Sequence, residues 1–276
     1  MIITDTSPLG AVTLESKELY YLADLLGADC LDGTESPFRG YLQGGMDEDR
    51  EEVQESLIMK GVINRAANGM MITQQMFSSL AAVLFSDKAC WMKYQTGTQT
   101  FEEFLHITNE RVVALERLPE NSSLHRVDEI GCVSEACGML AGKMKWNRRT
   151  PGELPALMLS RRQFAEIVAH LDKLELEEIL SELSKVSDDQ EGIIALAKCM
   201  KTSISHGDLQ FFARKGERWE SQRAQFINNH HMNWLIRASS REEEDWLIAT
   251  PTPNEKFQEM LQLWFRQPSS HVEDGH

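Results

Sequence analysis

Long apolar runs are missing from this 276-residue chain. Nowhere do about 18 apolar residues follow one another, so no membrane-spanning helix is expected. The first residues, MIITDTSPLGAVTLESKELYYLADLLGA, lack the basic and continuously apolar regions of a signal peptide, and a cytoplasmic location is expected. Cysteines are few and odd in number. Cys30, Cys90, Cys132, Cys137 and Cys199 are scattered in a way that excludes a disulfide-stapled scaffold and predicts free, mostly buried thiols. Basic residues are outnumbered, 28 Lys and Arg against 43 Asp and Glu, giving a formal charge of −15. That balance argues against a duplex nucleic-acid binder, whose affinity comes from Lys and Arg releasing counterions, and against an anionic membrane partner. Motifs for chemistry are missing too: there is no GxxxxGK[ST], no GxGxxG after a strand, no GxSxG and no HExxH. No cofactor, metal or catalytic residue is expected on these grounds.

What is present is a pattern of elements that occurs twice. In the first part, helices are expected after Thr13 as N-cap up to Gly27, over about Asp47–Lys60 with Gly61 beyond its end, and from Thr73 through Phe85 with Met76, Phe77, Leu80 and Leu84 inward. The stretch from Leu31 to Gly45 reads as a loop. ACWMKYQ, FEEFLHIT and RVVALERL then follow as short strand-like runs separated by Gly97 and Asn109, with a weak fourth near Leu124–Asp128, the signature of an antiparallel meander. A helix over Ile130–Trp146 closes the first half, weakened by Gly138 and Gly142.

Asn147–Pro155 (NRRTPGELP) breaks the pattern, and the order then returns. Ser160 caps a helix, LELEEILSELSKV supplies a second and Asp188–Lys201 a third. DLQFFAR, ERWESQRAQFI, HMNWLIRAS and DWLIATP read as four strands, and a helix capped by Asn254 runs to Phe265 with Phe257, Met260, Leu261 and Trp264 inward. The expected domain organisation is therefore an N-terminal half at 1–146, a linker at 147–159, a C-terminal half at 160–266 and a tail at 267–276. The fold class is α+β: a central antiparallel sheet with two α-helical clusters, pseudo-two-fold from two similar halves. The two meanders could join edge to edge, which would remove two exposed edges.

Charge and aromatic residues mark the candidate surfaces. Residues 131–159 hold 4 basic and 2 acidic residues, whereas residues 1–130 hold 10 and 21. The basic island of Lys143, Lys145, Arg148, Arg149, Arg161 and Arg162 either contacts an acidic partner or balances the acidic first half. Trp91, Trp219, Trp234 and Trp246 fall on or beside strand-like runs, where rings on an uncovered sheet face would bind protein, and Trp91, Phe212, Trp234 and Trp246 are the candidate aromatic contacts; taken singly, each ring also suits a core. Cys132 and Cys137 are spaced for neither a redox pair nor a metal clamp, and His230-His231 reads as a solvated turn. An enzyme would need a dispersed Cys/His site such as Cys199 with His206.

Over EVQESLIMKGVI and GMMITQQMFSSLAAVLFSDKACWMKYQ the chain resembles the EspG-like family of type VII (ESX) secretion-associated chaperones. Leu57, Gly61, Val62, Ile63, Leu80 and Trp91 occupy the matching kinds of position. The second half lacks an equivalent of the Lys60-Gly61 break, and the long strand-connecting loop of mycobacterial members has no counterpart among these short turns. The resemblance implies a non-enzymatic cytosolic adaptor that holds a helical secretion substrate and hands it to the secretion motor ATPase. The alternative is another scaffold protein of the same class, a homodimer paired through its sheet edges.

Overall fold

A computed structural model describes residues 11–27, 50–66, 69–148, 154–185, 187, 189–216, 218–239 and 245–268. The first half comprises β1 (Val12–Glu15), α1 (Ser16–Leu25), α2 (Arg50–Met59), β2 (Ile63–Ala66), β3 (Gly69–Ile72), α3 (Gln74–Phe85), β4 (Lys88–Thr96), β5 (Gln99–Ile107), β6 (Val112–Arg117), β7 (Leu124–Gly131) and α4 (Val133–Lys143). The second comprises β8 (Leu157–Ser160), α5 (Arg161–Ala169), α6 (Leu176–Leu183), α7 (Gln190–Lys201), β9 (Ser205–Lys215), β10 (Arg218–Asn228), β11 (Asn233–Ala238), β12 (Trp246–Pro251) and α8 (Asn254–Arg266).

Ten strands form one antiparallel sheet in the order β1-β7-β6-β5-β4-β9-β10-β11-β12-β8, while β2 and β3 pair apart as a hairpin. Read outward from the middle, the order is the same on both sides: first meander strand, second, third, fourth, then the short strand that opens the half. The two meanders do join edge to edge. β4 and β9 pair from Lys88↔Ala213 to Thr96↔Ser205. At this seam Gly207 is required by close approach, because a Cβ there would lie 2.4 Å from the Lys93 carbonyl oxygen and 2.6 Å from Tyr94 Cα.

Alternation along the strands assigns the two faces. Leu105 and Ile107 of β5, Val112 and Ala114 of β6, Phe226 of β10 and Leu235 of β11 pack with α4 and α8. Between them, Phe104, Val113 and Leu115 face α1, α2 and α3, and Ile227, Trp234 and Ile236 face α5, α6 and α7. One face therefore carries the α4/α8 pair over its centre, fixed by Trp146 stacked on Phe257 at 3.6 Å with 3° between the rings. The other face carries a helical cluster at each side. The expectation of a sheet with one wholly uncovered face is corrected: β6 and β11 are apolar on both faces and are covered on both.

Local departures have physical reasons. Thr13 is not a helix cap, because Val12–Glu15 pair with Leu124–Val127 as a strand and the helix begins after Glu15, whose backbone N–H donates to Glu18 Oε2 at 2.7 Å. Gly27 and Gly61 do end their helices, at φ +63° and +69°. The β2/β3 hairpin was not anticipated. Phe77 is half exposed rather than inward. β8 occupies the end of the segment expected to be a linker, where it pairs with β12 and runs directly into α5, capped by Ser160 as expected. Asn254 is the first residue of α8 and Pro253 its cap; the Asn254 side chain donates instead to the Trp146 carbonyl. The loop expected over Leu31–Gly45, Cys30, Arg149 and most of the tail lie outside the described residues.

Candidate functional site

Between the two helical clusters the sheet is left open over β4, β9 and β10. Trp91, Lys93 and Gln95 of β4 lie on this face beside Asp208, Gln210 and Phe212 of β9 and Ser221, Arg223 and Gln225 of β10, as the register requires: Trp91↔Gln210↔Arg223, Lys93↔Asp208↔Gln225 and Ala89↔Phe212↔Ser221. All of these but Ala89 are half-buried or exposed. Three strands at about 4.8 Å spacing make a strip about 10 Å across, close to the 10–12 Å diameter of one helix.

The strip is amphipathic along its length. Trp91 and Phe212 sit as diagonal neighbours against the α1–α3 cluster, and Trp91 donates Nε1–H to Glu102 Oε1 at 3.0 Å. Asp208 is the polar hub, accepting from Arg223 Nη2 and Nε at 2.7 and 3.2 Å and from Gln225 Nε2 at 3.0 Å. Gln210 Nε2 donates to Ser221 Oγ at 3.2 Å. These bonds hold polar side chains flat on the sheet, which leaves the rings and the Lys93 ammonium to meet an incoming surface.

The four aromatic candidates do not form one surface. Trp91 and Phe212 meet on the strip. Trp234 is fully buried, packed beneath α5–α7, so its assignment to a partner surface is corrected: Ile227 and Pro251 flank it in register, and its ring fills the core. Trp246 is half-buried beside the sheet edge, paired with Ser160, on the α4/α8 face and away from the strip. Arg148 is exposed at the opposite end of α4 from its start, and Arg149 lies outside the described residues. Asp208, Gln210, Ser221 and Arg223 were missed. Their signal was the polar phase of alternation in DLQFFAR and ERWESQRAQF, set against apolar residues on both phases of NWLI.

Two clefts flank this sheet at opposite ends. One of about 410 Å³ lies between the α3 residues Phe77, Ala81 and Phe85 and the β5–β6 turn at Thr108 and Arg111. The other, about 290 Å³, is lined by Gln95, Leu171, Asp172, Lys201 and His206. Burial lowers the affinity of His206 for a proton, with Asp172 and Asp208 opposing it.

Thiol chemistry is disfavoured at Cys90, Cys137 and Cys199 by their burial, whereas Cys132 is exposed. Cys199 is fully buried, its Sγ directed at the carbonyls of Ile227 and Met232 at 3.6 and 3.7 Å, and burial pushes its pKa up to about 12. Burial likewise raises Cys137 to about 12 and Cys90 further. A thiolate nucleophile needs the reverse. Ser16 Oγ lies 3.0 Å from His125 Nε2, a contact that resembles a nucleophile and its base, but burial first and Arg117 second depress that imidazole to about 4, which makes it a poor proton acceptor. Among the described residues no group of three or more His, Cys, Asp or Glu is placed to hold a metal ion, and no helix is long and apolar enough to cross a membrane.

No protein-family model matches the chain, and no curated protein matches it. Its fold is similar to that of the type VII secretion system chaperone EspG5 of Mycobacterium tuberculosis, in a structure of that protein in complex with the PE25-PPE41 dimer. The likeness covers 93% of this chain and 94% of that one, with a TM-score of 0.64 and 10% sequence identity.

Proposed function

We propose that this chain is a non-enzymatic chaperone or adaptor of a type VII (ESX) secretion system, binding a helical substrate in the cytoplasm and presenting it to the secretion motor ATPase. The observation that carries this reading is the likeness of fold over nearly the whole of both chains to a chaperone solved with a PE25-PPE41 dimer. The strip supports it independently: its width suits one helix, and it offers two rings beside a line of polar groups. Arg223→Glu and Lys93→Glu change only side chains on the open strip, and Trp91→Ala removes a ring of the kind that dominates interfaces, each being expected to weaken substrate binding about tenfold.

The test is capture of the tagged full-length protein from its own host, with the bound proteins identified by mass spectrometry. A helical protein exported by a type VII system, lost with Arg223→Glu, is the expected result. Recovery of no secretion substrate or component overturns the reading. A second reading, a homodimeric scaffold, is favoured by the two sheet edges: β1 and β8 each pair on one side alone within the sheet. Light scattering separates the two, since edge pairing doubles the mass without any added partner.

A further inference from the structure

The loop that follows α4 is held against the β10–β11 turn by a frame of asparagines. Asn147 N–H donates to Asn233 Oδ1 at 2.8 Å, Asn233 Nδ2 returns a bond to the Asn147 carbonyl at 2.7 Å, and Asn147 Nδ2 donates to the His230 carbonyl. Asn228 Nδ2 donates to the Met144 carbonyl at 3.0 Å. Asn229 accepts from the backbone N–H groups of His231 and Met232 at 2.9 and 2.8 Å and donates to Thr202 Oγ1, at the end of α7, at 2.9 Å. Asn228, Asn229 and Asn233 are buried. The frame therefore fixes three segments at one end of the sheet.

Each of those segments carries Lys, Arg or His side chains on its outside. Lys145 and Arg148 come from the loop, His230 and His231 from the turn, and Lys198 from the last turn of α7, all of them exposed. None of these five side chains makes a hydrogen bond or ion pair among the described residues. Many of the other basic side chains of this acidic protein are taken up, among them Lys60 by Glu18, Lys143 by Glu103 and Arg223 by Asp208. Lys145 also keeps a left-handed backbone at φ 56°, an uncommon conformation for a residue other than glycine, so the loop is held in place rather than relaxed. Acids enter this end on the first turn of α8 at Glu255 and in the neighbouring cleft at Asp172, and neither pairs with the five.

We infer that this end face is a docking site for a short acidic segment of a partner protein. Lys145, Arg148 and Lys198 are unpaired like charges that repel one another until an opposite charge arrives, and the frame has already met the cost of ordering the backbone that carries them. The protein's own charge sets the length of the ligand. A short acidic peptide meets only the patch, whereas a nucleic acid or an anionic bilayer extends beyond it and meets a surface whose net charge is −15. The site stands apart from the strip, so it and the proposed substrate site succeed or fail separately.

The experiment is fluorescence anisotropy with a fluorescein-labelled Glu-rich peptide and the full-length protein, at low and at physiological salt. Binding that weakens with salt, and weakens about tenfold in Lys145→Glu/Arg148→Glu, is the expected result. Lys215→Glu/Arg218→Glu, at the far end of β9 and β10, is the charge-matched control and leaves binding unchanged. The neutralising pair Lys145→Gln/Arg148→Gln gives an intermediate loss and keeps the test valid should the reversed pair misfold. Equal binding by wild type and both patch variants overturns the inference, as does equal loss in the control. Tighter binding of a single-stranded oligonucleotide or of phosphatidylserine vesicles than of the peptide overturns it too.

Discussion

Replacing Gly207 by alanine tests the seam on which the ten-stranded sheet depends. A Cβ at this position would lie 2.4 Å from the Lys93 carbonyl oxygen, 2.6 Å from Tyr94 Cα and 2.6 Å from Tyr94 Cβ. Two of the three atoms are backbone, so no side-chain rotation relieves the overlap. β4 and β9 must separate locally, and they do so where Tyr94 packs into the core shared with α4 and α8 and stacks on Phe101 at 5.2 Å. Overpacking of this kind costs about 2 kcal/mol, which in a domain of this size lowers the melting temperature by about 5 °C. Gly138→Ala and Gly142→Ala in α4 are the controls, since an added Cβ at either meets nothing within 4 Å. Each should stabilise by about 0.5–1 kcal/mol through helix propensity alone. Thermal melts by circular dichroism and chemical denaturation with an unchanged m-value would measure all three. A Gly207→Ala protein that melts with the wild type, or above it, would refute the claim that the halves meet too closely there for a side chain.

Acid should destabilise the fold through two buried imidazoles. Burial holds His106 at about 3 and, with Arg117, His125 at about 4, so both are neutral when folded, whereas the unfolded chain takes up protons below about 6.5. The stability they contribute is complete above that value and is lost as pH falls through it, by about 2 kcal/mol each at about pH 5. Glu103, raised mainly by burial against the pull of Lys143, acts in the opposite sense, and denaturation midpoints of a His106→Asn/His125→Asn protein should be flatter with pH than those of the wild type. A thiol-labelling time course on the native protein should modify exposed Cys132 and spare Cys90, Cys137 and Cys199 until denaturant is added; fast labelling of Cys199 would contradict its burial. Lys60→Met should destabilise by about 3 kcal/mol or more, because it strands the Glu18 carboxylate, fully buried and held by Lys60 at 2.6 and 2.8 Å and by Ser56 at 2.7 Å. Recovery in Glu18→Gln/Lys60→Met, measured by the same melts, would tie the loss to that stranded charge.

Much of the fold was legible because the meanders and helices write their periods plainly. Period two in β4–β7 and β9–β12, and period 3.6 in α7 and α8, mark elements long enough to read. β1 and β8 escaped because four residues that run straight into a helix look like its first turn; only pairing with β7 and β12 makes them strands. The candidate site was half legible. Trp91 and Trp234 are alike as residues in strands, and what separates them is which helical cluster lies above each, a tertiary fact. The difference left a trace in composition: β11 is apolar on both phases, whereas β9 and β10 place Asp208, Gln210, Ser221 and Arg223 on one.

Placing the seam at the centre of the sheet also gives the protein a history during synthesis. β4 is complete early, and its partner β9 emerges only after β5–β8 and four more helices have been made. At about 5–20 residues per second, the β4 edge waits on the order of ten seconds with its backbone donors and acceptors unmet. During that interval the nascent first half presents an open strand edge to any other chain, including another nascent copy. A chain that ends before Ser205 should therefore aggregate where the full-length protein does not, and the second half acts toward the first as a chaperone encoded in the same molecule.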